Sequence, residues 1–178
     1  VSEIVDTHPR VRNLNMGEYG NDYLKAFITE AAYLGIDVHA WCHTFNAGST
    51  SYLSNNIKEE WLLETYTGVK LHPNEYSGAY YLDPSNDEVI NYMANIYIEM
   101  MENYDFKGLQ LDYIRYWDND FNQTPYRDSG YGELSENKFL RETGLSGDVK
   151  EIVKTVSGRE KWNAWRCENI TKAVEKLS

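Results

Sequence analysis

GLQLDYIRY, Gly108 to Tyr116, is the stretch in which hydrophobic alternation brings a carboxylate to the end of a strand. Leu109 and Leu111 fall on one face at a spacing of two, and Gln110 and Asp112 on the other. A strand that turns its leucines toward covering helices turns Gln110 and Asp112 into the centre of an α/β barrel. Chemistry in such barrels gathers at the carboxyl ends of the strands. Two readings of Asp112 stand. It is a catalytic carboxylate, or it caps the following turn or pairs with Arg115.

Working backward from this strand, a long amphipathic helix is expected over Asp87 to Tyr104, with Val89, Met93, Ile96 and Met100 as its buried stripe. Ser85 or Asn86 can cap it, and Asp87 and Glu88 suit its positive end. Before it, Asn46 to Tyr80 is a long, glycine-broken connection with a short helix expected near Ile57–Tyr66. Asp83, ahead of Pro84, shapes the turn into the long helix.

A second strand, Ile36 to Phe45, puts Val38, Ala40 and Cys42 on one face and His39, Trp41 and His43 on the other. It follows a helix over Asn21 to Leu34 that Gly35 ends and Asn21 or Asp22 can cap. Glu3-Ile4-Val5 is a candidate end of a third strand. Beyond Tyr116, a polar loop runs from Trp117 to Glu133. Helices are then expected over Leu134–Glu142 and Arg159–Leu177, the latter with Trp162, Trp165, Ile170, Val174 and Leu177 on its apolar face.

Two parallel strands joined by a crossover helix make a βαβ unit. A closed eight-stranded barrel takes roughly 250 residues, and this chain has 178. The expectation is therefore an α/β fold: a single segment over residues 1–178, an incomplete (β/α)8 TIM barrel with long loops after its strands. Two strands alone leave open edges, so the remainder of the barrel, or another copy of the chain, is expected to cover them.

Composition narrows the partners. The net charge is −11, which disfavours phosphate backbones and anionic membranes. No apolar run approaches the roughly 18–20 residues that span a bilayer. The opening residues from Val1 carry no signal-peptide pattern, which reads as a mature or excised segment. Cys42 and Cys167 match no zinc or redox spacing and read as buried free thiols. The four histidines form no HExxH-type cluster, so neither a metal nor a cofactor is expected. No GxGxxG or GxxxxGK[ST] sequence is present, which sets aside a nucleotide-binding domain. Fifteen tyrosines and five tryptophans serve packing first. They are also the residues on which sugar faces stack.

VHAWCHTF after an amphipathic helix, YLDPSNDEVINYM, GLQLDYIRY, GYGELSENKFLRETG and WNAWRCENITKAV occur here in that order. Together with HPRVRNLN they resemble the glycosyl-hydrolase-like family 10 proteins, bacterial proteins with a (β/α)8-barrel glycosidase domain. The resemblance implies that Ile36–Phe45 and Gly108–Tyr116 are neighbouring barrel strands and that the family's strand-end Asp is Asp112. It also implies a polysaccharide substrate and an extracellular or cell-envelope location. This chain has Trp117 where the family commonly has Pro, and Cys42-His43-Thr44 where it often has an aromatic residue and Asn.

Glycoside hydrolysis usually takes two carboxyl groups. Asp118, Asp120 and Glu133 are candidates for the second, against a plain reading as a solvated acidic loop. A later strand outside this chain is the other source. His39 can donate to a sugar hydroxyl and Trp41 can form a stacking platform, or both can simply pack. His43 and Asn46 lie where loop contacts to a ligand are expected. Arg115 can orient a carboxylate or bind an acidic sugar, or form a structural ion pair. Tyr113 falls with the leucines and is expected in the core. The function expected is glycoside hydrolysis centred on Asp112. The alternative is a barrel that binds carbohydrate without cleaving it.

Overall fold

The structure, a computed structural model, describes residues 22–48, 57–73, 78–117 and 127–178. The candidate strand end at Glu3-Ile4-Val5 and the candidate carboxylates Asp118 and Asp120 lie outside them.

The first helix, α1 (Tyr23–Tyr33), starts where Asp22 Oδ1 accepts the Lys25 N–H at 3.0 Å. It ends in a Schellman turn. Gly35 takes φ +72°, its N–H bonds the Ala32 carbonyl, and the Ile36 N–H bonds that of Ala31. Strand β1 (His39–His43) follows within a few residues. The crossover helix α2 (Asp87–Asn103) is capped by Asn86, whose side chain accepts the Glu88 N–H. It leads into β2 (Gly108–Asp112), which pairs parallel to β1 with His39 opposite Gly108, Trp41 opposite Gln110 and His43 opposite Asp112. The βαβ unit expected from the sequence is present, with both strands shorter than the runs that suggested them. Three further helices follow: α3 (Glu133–Thr143), the short α4 (Val149–Ile152) and α5 (Val156–Leu177). The result is a mixed α/β arrangement of five helices and a two-stranded parallel sheet among the described residues. None of these helices is long and apolar enough to cross a membrane.

The helix expected near Ile57–Tyr66 does not form. One 3₁₀ turn at Glu59–Trp61 is followed by extended chain. The reason is where its backbone groups bond. The Leu63 N–H goes to the Tyr81 carbonyl, the Leu71 N–H to that of Leu63, and the Asp83 N–H to that of Trp61. Isolated antiparallel bridges (Asn46 with Tyr81, Leu62 with Leu82, Thr65 with Ser129) knit the long connection together at the carboxyl ends of the strands.

One face of the sheet is covered. Phe45, Leu82, Val89, Met93, Tyr97 and Ala173 form the main core between the strands, α2 and α5, with Cys42, Leu109 and Leu111 packed against it. Ile28 and Ala40 join Phe106 beneath α1. The later helices have a separate aromatic core, where Trp162 stacks on Trp165 at 5.0 Å and meets Tyr131 and Phe139. The opposite sheet face is open: His39, Trp41, His43 and Gln110 are exposed, and Trp41 keeps 70% of its surface accessible. Phe27 on α1 is 50% exposed. Both thiols are free as expected, but Cys42 is half-buried and Cys167 is exposed.

Candidate functional site

The open face carries its polar groups toward the strand ends. Alternation along β1 and β2 puts His39, Trp41 and His43 on the side away from the helices, with Gln110 and Asp112 beside them in register. At the last register position His43 Nε2 lies 3.9 Å from Asp112 Oδ2. That is an ion-pair distance for a protonated imidazole and longer than a hydrogen bond. Asp112 Oδ1 accepts the Tyr113 N–H at 2.8 Å, and the Asp112 carbonyl accepts the Thr44 N–H at 2.7 Å.

Tyr113 takes φ +50°, the one non-glycine with positive φ among the described residues. This turn stops the strand, so Tyr113 departs from the leucine side on which alternation would place it. Its ring stands 4.7 Å from the His43 ring, and the Arg115 guanidinium lies over it at 5.1 Å. The core position expected for Tyr113 holds only in part. It is half-buried against the cluster of Leu63, Leu71, Tyr81 and Trp117, and its other surface belongs to the site.

Asn46 anchors the rim. Its Oδ1 accepts the Gly48 N–H at 2.9 Å and its Nδ2 donates to the Tyr81 hydroxyl at 3.2 Å. Burial pushes the Tyr81 hydroxyl above the ordinary tyrosine range, with Tyr113 adding to the rise and Arg115 opposing it. Tyr81 and Tyr113 are the site residues that sequence reasoning missed. Tyr81 reaches the rim only through the long-range bridge to Asn46, for which local sequence carries no signal.

His39 lies at the opposite end of β1, where Gly108 makes room for it. A Cβ on Gly108 would fall 2.7 Å from His39 Nδ1. Glu133 stands exposed in the first turn of α3 and makes no ion pair or hydrogen bond with Asp112, His43 or Arg115. Asp112 is thus the one carboxylate that the two strands present on this face. The expected alternative of an Asp112–Arg115 pair is not formed; Asp112 faces His43 and the Tyr113 N–H instead. Among the described residues no three His, Cys, Asp or Glu side chains converge as a metal cluster would.

The arrangement offers a carboxylate with one oxygen fixed by a backbone donor and the other free beside an imidazole. An exposed indole lies along the same face and a guanidinium at its edge. Such a set can stack a sugar ring, bond its hydroxyls and exchange a proton. No solved structure gives a significant match to the chain. Over 138 residues it is 28% identical to an S-layer-related protein of Niallia circulans, covering 71% of this chain and 8% of that protein. The chain therefore spans a small part of the length of that relative. The model of the family described as glycosyl hydrolase-like 10 matches residues 2–178, a range that holds both strands, the crossover helix and Asp112, and the chain belongs to that family.

Proposed function

We propose that the chain forms part of a glycoside hydrolase acting on a cell-envelope or extracellular polysaccharide, with Asp112 as nucleophile or base. One observation carries the reading. Asp112, His43 and Trp41 share the open face of a parallel strand pair, with the carboxylate at the carboxyl end of β2. Family membership supports the reaction class, and the S-layer-related name of one relative supports the location. In this reading the open face is the inner wall of a (β/α)8 barrel, of which residues 1–178 are one incomplete segment. Other strands of the same polypeptide then cover the edges of β1 and β2, and exposed Phe27 and Trp41 gain neighbours. The second carboxyl comes from Asp118, Asp120 or Glu133, or from one of those other strands. His39, Trp41, His43, Asn46 and Arg115 contact the sugar.

A binding-only barrel is the second reading, favoured by the single carboxylate on the face of the described strands. The full-length protein and its Asp112→Asn variant, assayed for binding and hydrolysis across a polysaccharide panel, separate the two. Cleavage by the parent, with binding but no cleavage by the variant, supports the hydrolase. Equal binding by both with no cleavage by either supports the binding module and removes Asp112 from the chemistry.

A further inference from the structure

We propose that the glycan taken by this site carries a carboxylate, as a uronic acid does, and that Arg115 is the group that reads it. This rests on the carbohydrate reading above and names the class of sugar. The chain has 28 acidic residues against 17 lysines and arginines, so an arginine near a carboxylate would ordinarily be drawn into an ion pair. Arg115 follows Asp112 by three positions, yet it makes no ion pair or side-chain hydrogen bond among the described residues and stays exposed. The geometry explains how it is kept apart. Asp112 Oδ1 is taken by the Tyr113 N–H, and the guanidinium rests over the Tyr113 ring at 5.1 Å. Stacking of this kind holds the flat cation in place and leaves its in-plane N–H donors open, the fork that suits a carboxylate.

Arg115 also lines a cleft of about 480 Å³ with Ile114, Tyr116, Asn163, Arg166 and Ile170, within the roughly 300–1,000 Å³ usual for small-molecule sites. Arg166 in that wall is already neutralised, its Nη1 lying 2.6 Å from the buried Asp128 carboxylate. Arg115 is therefore the charge of the cleft that no carboxylate among the described residues pairs with. Its link to the Asp112 site is Tyr113, whose ring meets both the Arg115 guanidinium and the His43 imidazole.

The test is isothermal titration of the full-length protein with uronate oligosaccharides built on galacturonate, glucuronate and mannuronate, each beside its carboxyl-reduced neutral counterpart. At least one acidic oligosaccharide should bind about tenfold or more tightly than its reduced form, the scale of a charge-assisted hydrogen-bond pair. Arg115→Gln should remove the preference, bringing the ratio of acidic to neutral affinity to about one whatever the absolute affinity of the variant. Arg115→Lys, which keeps the charge and loses the fork, should recover part of the preference. Equal binding of acidic and neutral forms by the parent, or equal weakening of both by Arg115→Gln, overturns the inference and leaves the carbohydrate reading standing. Absence of binding to every oligosaccharide, acidic or neutral, also overturns the inference, and the polysaccharide panel above then decides the carbohydrate reading by itself.

Discussion

His43 and Asp112 occupy the same register position at the ends of two parallel strands, with Nε2 3.9 Å from Oδ2. Neither strand alone would make this contact. It exists because helix α2 returns the chain parallel to β1 and the pairing puts both side chains on the open face. The neighbouring Tyr113 holds the pair from below, its N–H on the carboxylate and its ring against the imidazole.

This gives the first prediction. His43→Phe keeps a ring against Tyr113 and removes the nitrogen that faces Asp112. If the pair takes part in proton transfer, turnover of the cleaved glycan should fall about 10²-fold, the low end for a positioned acid–base group. Because His43 is exposed, thermal stability should change by no more than about 0.5 kcal/mol. Unchanged turnover with unchanged melting would make the contact a packing feature.

Tyr113 supplies the second. A left-handed conformation costs an ordinary L-residue roughly 1–2 kcal/mol, and glycine escapes that cost. Tyr113→Ala and Tyr113→Gly both lose the ring contacts with His43 and Arg115, but only glycine relieves φ +50°. Denaturant unfolding should therefore find Tyr113→Gly more stable than Tyr113→Ala by about 1 kcal/mol. An alanine variant as stable as the glycine one would mean the turn at this position is not left-handed in solution.

The same residue marks where sequence reasoning stops. Alternation located β1, β2 and their open faces, because burying Ala40, Cys42, Leu109 and Leu111 forces His39, Trp41, Gln110 and Asp112 to the other side. Helices α1 and α2 were legible from periodicity and from caps such as Asp22, Asn86 and Gly35. Period-two logic carried one residue too far assigns Tyr113 to the leucine face, and nothing about a tyrosine announces positive φ. The stretch near Ile57–Tyr66 misled for a related reason. Trp61, Leu62 and Leu63 are buried in succession, and the Trp61 carbonyl and the Leu63 N–H pair with Asp83 and Tyr81, a long-range choice that local pattern cannot show. Arg115 was open between an ion pair and a ligand contact because a sequence does not say which of Asp112's neighbours takes its oxygens.

Two glycines should respond unequally to the same change. A Cβ on Gly108 meets the ring of exposed His39, which can swing away. A Cβ on Gly158, in the first turn of α5, would fall 2.1 Å from the Ile152 carbonyl oxygen, which is backbone. Gly108→Ala should cost under about 1 kcal/mol, whereas Gly158→Ala should cost about 3 kcal/mol, the upper range for forced overpacking. Chemical denaturation of both variants checks this. Comparable losses would mean that α4 and α5 do not approach as closely as the geometry has them.

Asp83 makes stability depend on pH in an unusual direction for a carboxylate. The side chain is buried and accepts the Ser85 N–H and hydroxyl, each at 2.8 Å, and the Ser135 hydroxyl. Burial raises its pKa, and the bonds from Ser135 and Ser85 and the charge of Lys138 offset only part of the rise. Below about pH 4, the ordinary value of an aspartate, folded and unfolded chains both hold the proton. Above it the unfolded chain releases the proton first while the folded chain retains it, so the folded state binds more protons and stability falls as pH rises through the raised folded value. Asp83→Asn keeps an acceptor for Ser85 and has no proton to release. The stability of the parent relative to Asp83→Asn should therefore decline between about pH 4 and pH 7, measured by urea unfolding at each pH. Glu136, also raised by burial, leaves a residual slope of the same sign in both proteins, so only the difference between them reports Asp83. Curves that stay parallel across that window would mean the Asp83 carboxylate is as comfortable ionised inside the fold as outside it, and that the bonds from Ser85 and Ser135 fully offset its burial.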